Sequence, residues 1–157
     1  MLHVVLIEPE IPPNTGNIGR LCLATGATLH LVGPLGFSLD DRTLLRAGLD
    51  YWKDVDCRRW EDFSQLAAAA DPGARFYFLT TKTDRAYWDA GFQEGDYLVF
   101  GRESKGLPEP LLAAHAAQCL TIPQRGVRSL NLATAVGITL YEAVRQINLG
   151  KAPASGL

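Results

Sequence analysis

The stretch Val4-Val-Leu-Ile-Glu-Pro-Glu-Ile-Pro-Pro-Asn-Thr-Gly-Asn-Ile-Gly-Arg-Leu-Cys22 runs from a short apolar segment through a stiff, proline-rich turn into apolar positions at helical spacing. His3–Ile7 reads as a buried strand, because its residues are apolar without polar alternation. Beyond the turn, Ile18, Leu21, Cys22 and Thr25 recur with the period of a helix, and Gly26 is placed to end it. A strand, a polar turn and a helix in this order open a β/α unit. Turns at the ends of such strands are where ligands bind.

The alternation continues along the chain. Thr28–Val32 is a second strand, and Asp40 and Asp41 mark a helix start that Arg42–Leu49 continues. Val55–Trp60 reads as a short strand and Glu61–Ala70 as a helix stopped by Asp71-Pro72-Gly73. Arg75–Thr80 and Tyr97–Gly101 are aromatic and β-branched strands, and Pro108 opens a helix reaching about His115. Cys119–Ile122 is the last strand, and a helix from Ser129 to Ile147 follows. This rhythm predicts an α/β fold, a mostly parallel sheet with helices on both faces. One domain is expected over residues 1–150, with a flexible tail over 151–157.

The last helix carries two apolar stripes. Leu130, Ala133, Gly137, Leu140, Tyr141, Val144 and Ile147 form one, while Leu132, Ala135, Val136, Thr139 and Ala143 lie almost opposite. One sheet cannot cover both, so the second stripe is expected to pack on a partner in a two-fold homodimer.

Composition narrows the function classes. At 157 residues, 47% hydrophobic and 20% charged, the chain can bury a core of its own. The apolar run before Glu8 is too short for a leader or a membrane span, so the expected location is cytoplasmic. Cys22, Cys57 and Cys119 show no Cys-x-x-Cys spacing, and their odd count argues against a disulfide framework. His3, His30 and His115 are isolated, which favours packing roles over metal ligation, and no metal is expected. A formal charge of −2 supplies no global basic field, so contact with nucleic acid must come from a local patch.

Two further loops resemble the first in character. Phe100-Gly-Arg-Glu-Ser-Lys-Gly-Leu107 has the glycine spacing of a P-loop, but Leu107 and Pro108 stand where Lys and Ser/Thr are required. Gly16-Asn-Ile-Gly19 likewise lacks the dinucleotide pattern, and no acid ends Thr28–Val32. What remains at Gly101 and Gly106 is backbone able to approach a ligand closely, suited to a nucleoside cofactor held by main-chain groups. The third loop is Ile122-Pro-Gln-Arg-Gly-Val-Arg-Ser-Leu-Asn131. Asn14, Asn17 and Arg20 lie three apart, so a helix beginning near Thr15 would project them toward one cleft, where they favour an anion such as a phosphodiester. Arg42 and Arg46, four apart, with Arg125 and Arg128 are candidates for a phosphate-binding patch, against the alternative of a solvated charged face.

Taken together, Asn14-Thr-Gly-Asn-Ile-Gly-Arg20, the loop Phe100–Leu107, and Ile122-Pro123 through Ser129-Leu-Asn-Leu-Ala-Thr-Ala-Val-Gly-Ile-Thr-Leu-Tyr-Glu142 resemble the three motifs of the SPOUT RNA methyltransferases. Glu8-Pro-Glu-Ile-Pro-Pro-Asn-Thr-Gly-Asn17 and Arg46-Ala-Gly-Leu-Asp-Tyr51 resemble the minimal branch that methylates the ribose 2′-hydroxyl of the anticodon wobble nucleotide of tRNA, cytidine or uridine at position 34. The resemblance implies a homodimer and a deep C-terminal trefoil knot, an exception to the rule against knots. It also implies S-adenosylmethionine as cofactor, released as S-adenosylhomocysteine, and tRNA rather than DNA or a membrane as partner.

Position by position, the resemblance implies a cofactor pocket of Leu79, Gly101, Ile122, Ser129 and Leu130. It implies Arg20 and Asn14 as catalytic, and the RNA contacts expected from the arginine spacing are Arg42, Arg46 and Arg128. Arginine cannot readily surrender its proton, so orienting the hydroxyl and holding the adjacent phosphate is the role expected of Arg20. Glu103 is an alternative base, and Asn131 a candidate to position substrate or backbone. The chain departs from the family pattern at Gln124, where relatives often carry methionine, and at Ala133 and Thr134, which replace a serine-rich continuation. Two alternatives stay open: 2′-O-methylation of another tRNA position or of rRNA, and a non-catalytic RNA-binding module.

Overall fold

The structure, a computed structural model, describes residues 1–40, 51–149 and 151. Its sheet consists of β1 (His3–Ile7), β2 (Thr28–Val32), β3 (Cys57–Trp60), β4 (Phe76–Leu79), β5 (Tyr97–Phe100) and β6 (Cys119–Leu120). The strand order is β3-β2-β1-β5-β4-β6, and all of these pairings are parallel. The described helices are α1 (Pro12–Thr25), α2 (Phe63–Ala69), α3 (Glu109–Ala114) and α4 (Leu132–Asn148).

Alternation along the strands divides the core in two. Val4 and Leu6 of β1, with Leu29, Leu31, Leu98 and Phe100, pack on Ile18 and Cys22 of α1 and on Leu132, Val136 and Leu140 of α4. Val5 and Ile7, with Val32, Val99 and Phe78, pack on Leu66 of α2 and Leu112 of α3. Burial on both faces is the reason the central strands β1 and β5 read as nearly continuous apolar runs, whereas edge strand β3 exposes Arg58 and Arg59. The α/β architecture expected from the sequence is the one observed.

Several boundaries differ. α1 begins at Pro12 rather than near Thr15. Proline has no N–H and a φ already suited to a helix, so Pro12 and Pro13 fill the first turn, where N–H groups lack helical partners. Gly26 does end the helix, at φ 72°, and its N–H bonds the Cys22 and Leu23 carbonyls. α4 begins at Leu132 rather than Ser129, because the Asn131 side chain caps it by accepting from the Thr134 N–H at 3.1 Å. β6 stops at Leu120, since Thr121 pairs instead with Ala86. The helix expected from Arg42 to Leu49, and all of the 151–157 tail beyond Lys151, lie outside the described residues.

The stripe reading of the last helix is corrected. Leu132, Val136, Thr139 and Ala143, assigned to a partner, are buried within this chain. Leu140 of the other stripe joins them, while Tyr141 is 43% exposed. Helical period identifies apolar faces but not which of them the sheet and α1 take.

The histidines have packing roles. His115 stacks on Phe78 with ring centroids 4.5 Å apart. His3 Nδ1 and His30 Nε2 are 3.0 Å apart, and Trp60 Nε1 donates to His30 Nδ1 at 2.9 Å. An indole N–H only donates, so His30 Nδ1 is the acceptor, His30 Nε2 carries the proton, and His3 Nδ1 accepts it. Protonating either ring would break this relay. Burial, reinforced by His3 and Arg58, holds His30 down to about 3; burial, then Arg58, lowers His3. Above the ordinary histidine value of 6.5 neither the folded nor the unfolded chain protonates these rings. As pH falls below it, the unfolded chain takes up protons that the fold refuses, so stability declines toward pH about 3. Melting temperature measured across this range should fall with acidity, and His30→Gln, which does not titrate, should flatten the decline.

Candidate functional site

Going outward from β1, the strand order runs through β2 to β3 on one side and through β5 and β4 to β6 on the other. The carboxyl ends of β1 and β5 therefore flank a topological switch point, the place where open α/β sheets bind ligands. A cavity of about 520 Å³ lies there. Its walls include Leu79–Lys82 from the end of β4 onward, Phe100–Leu107 from the end of β5 onward, Thr121, Ile122 and Gln124 after β6, Arg128–Leu132 leading into α4, and Ile11 and Asn14 of the α1 entry. Leu79, Gly101, Ile122, Ser129 and Leu130, the five expected cofactor residues, all line it, as do Asn14 and Arg128. Its volume suits a small organic ligand.

A carboxylate joins the first two loops. Glu103 accepts from the Glu10 N–H at 2.8 Å, the Ile11 N–H at 3.1 Å and Asn14 Nδ2 at 3.4 Å. In return, Glu10 accepts from the Ser104 hydroxyl at 2.7 Å and its N–H at 3.1 Å. Those two bonds hold the Glu10 carboxyl below the usual range. Asn14 Oδ1 accepts from Asn131 Nδ2 at 3.0 Å, and Asn131 caps α4. Glu103, Asn14 and Asn131 thus tie all three loops into one frame. Both Glu103 oxygens are engaged by donors, which argues against Glu103 as a base. Asn14 is 7% exposed, and both its amide nitrogen and its amide oxygen are bonded within this frame, so its geometry is that of a positioning residue.

Glu103→Ala would leave these donors without their acceptor. The loss should be about 2 kcal/mol, and thermal denaturation should show a midpoint lower by about 4–8 °C.

Arg20 is not at this cavity. It is exposed on α1, its guanidinium carbon 5.7 Å from the centroid of the Tyr51 ring, and Tyr51 bonds back to the Gly16 carbonyl at 3.4 Å. The shared cleft expected for Asn14, Asn17 and Arg20 is corrected by helix geometry. Six residues at about 100° each leave Arg20 roughly 120° around the helix from Asn14, and Asn17 is likewise exposed. Arg42 and Arg46 lie outside the described residues, and Arg125 is exposed outside the cavity lining.

Sequence reasoning missed Thr81 and Lys82, and it gave the second loop a role without assigning one to Arg102, Ser104 or Lys105, which also line the cavity. Arg102 lies 3.9 Å from Glu8, and Lys82 pairs with Glu109. Thr81 and Lys82 follow the strand read as Arg75–Thr80 on the same sheet edge, a signal that could have found them.

Residues 1–141 match the SpoU rRNA Methylase family, and the chain belongs to that family. A tRNA (cytidine(34)-2′-O)-methyltransferase of Acidovorax is 49% identical over 149 residues, covering 93% of this chain and 92% of the relative. A solved structure described as giving insights into the 2-OH methylation of cytidine or uridine 34 on tRNA matches with a TM-score of 0.89 at 51% identity, covering 93% of this chain and 95% of that one. An AdoMet-bound rRNA methyltransferase from Sinorhizobium meliloti matches with a TM-score of 0.77 at 32% identity, over 92% of this chain and 56% of its own.

Proposed function

We infer that this chain is an S-adenosylmethionine-dependent tRNA 2′-O-methyltransferase acting on the wobble nucleotide, cytidine or uridine 34. The observation that carries this is near-complete coverage at about half identity to proteins named or described for that reaction. The cavity fits the cofactor: apolar Leu79, Ile122 and Leu130 suit a purine, and backbone at Gly101 and Ser129 suits its polar edges. When bound, the cofactor supplies a sulfonium methyl group for transfer to a ribose 2′-hydroxyl. Asn14 and Asn131 hold the loops around the reacting groups, while Arg20 orients the hydroxyl and its neighbouring phosphate.

Because Arg20 lies outside the cavity of its own chain, that role needs a second copy to deliver it, so the Arg20 and homodimer readings stand together. A solution mass of twice 17.1 kDa is expected, and a monomer at micromolar concentration would overturn both. The trefoil knot belongs to the same reading. It is supported by the path after β6: Thr121 is bonded to Arg85 and Tyr87 of the preceding loop, and α4 then returns to α1 and the centre of the sheet. Residues 1–150 act as one domain. No described helix is long and apolar enough to cross a membrane, and the proposed setting is the cytoplasm.

RNA contact is assigned to Arg128 at the cavity and to Arg42 and Arg46. Binding to tRNA should weaken steeply with salt, and Arg42→Ala with Arg46→Ala should reduce the slope. The activity itself is tested by incorporation of label from methyl-labelled S-adenosylmethionine into unmethylated tRNA. Cofactor binding without transfer to any RNA would favour a non-catalytic module.

A further inference from the structure

Among the described residues, two buried side-chain oxygens lack a hydrogen-bond partner, Thr15 Oγ1 and Gln124 Oε1. Thr15 is inside α1, whereas Gln124 lines the cavity. Buried amide oxygens are almost always satisfied. The oxygen itself is covered in the cavity wall, and rotation of the terminal amide would bring it to a donor that enters with a ligand. Gln124 is two residues from Ile122, one of the apolar side chains suited to a purine face, and an adenosine offers nearby donors in its exocyclic amine and ribose hydroxyls. We propose that Gln124 Oε1 accepts a hydrogen bond from the adenosine half of the bound cofactor. This inference rests on the cofactor reading above and adds to it one residue of the cavity wall.

The test measures calorimetric binding of S-adenosylhomocysteine, and competition by 5′-methylthioadenosine, for the full chain and for Gln124→Met. Methionine keeps the length and replaces the amide oxygen with a thioether, a much weaker acceptor. Both ligands should bind about five- to tenfold more weakly, while the melting temperature without ligand stays level or rises, because a buried unmet oxygen has gone. Turnover should show a raised KM for S-adenosylmethionine with kcat little changed. Affinity unchanged for both ligands would overturn the proposal. So would a loss confined to S-adenosylhomocysteine, which would put the contact on the amino-acid half. A melting temperature falling in step with affinity would show a structural role instead. Failure of the wild-type chain to bind S-adenosylhomocysteine would overturn the cofactor reading itself.

Discussion

Replacing Arg20 with alanine is expected to lower methyl transfer about a hundredfold or more, with affinity for S-adenosylmethionine nearly unchanged. Two features of the structure set this expectation. Arg20 is exposed and does not line the cavity, so removing it takes nothing from the cofactor site. Its guanidinium rests near the Tyr51 ring, which fixes the planar fork where a ribose hydroxyl and its phosphate could be held together. Arg20→Lys should recover little, since an ammonium offers a point charge rather than a bidentate fork. The checks are single-turnover rates with saturating tRNA beside calorimetry of the cofactor. Wild-type turnover in the alanine variant would remove Arg20 from the mechanism.

Gly101→Ala should damage the protein differently. A Cβ at residue 101 would sit 2.1 Å from the Gly106 carbonyl carbon and 2.2 Å from the Leu107 nitrogen. Both are backbone atoms in the closed turn where the Arg102 and Gly106 N–H groups each bond the other's carbonyl, at 3.2 and 2.8 Å. No side-chain rotation relieves such a clash, so the turn must open. The cost should reach about 3 kcal/mol, and cofactor binding should be lost with the shape of the loop. Thermal denaturation with calorimetry distinguishes this from Arg20→Ala, which leaves both readings near wild type. An alanine variant that melts and binds like the wild type would show that the turn accommodates the methyl group.

How far each feature was legible follows from its physical range. β1 and α1 could be read because apolar runs and helical spacing are local, and the Gly26 stop likewise depends only on its neighbours. The three loops could be recognised as a site because each follows a strand, and strand ends of a parallel sheet share one edge. The Glu103 clamp could not be read. Its partners lie 89 to 93 residues away, and no spacing marks a carboxylate that will find two N–H groups at the mouth of a proline-started helix. The placing of Arg20 failed for another reason: three-residue steps drift around a helix, so adjacency at each step does not survive two of them. Choosing between the α4 stripes required knowing where α1 packs, since Gly137 lies against Leu21 and leaves the Val136 side to the sheet. Gln124 was visible only as a departure from the family pattern; its unpartnered oxygen depends on the folded cavity wall.

The measurement that bears most directly on the function is the identity of the methylated nucleotide. Unmethylated total tRNA is incubated with the chain and S-adenosylmethionine, then digested, and the modified residue is mapped by mass. The expected product carries one added methyl on the ribose 2′-oxygen of cytidine or uridine 34. Methyl on a base, methyl at another position, or no transfer to tRNA despite cofactor binding would contradict it.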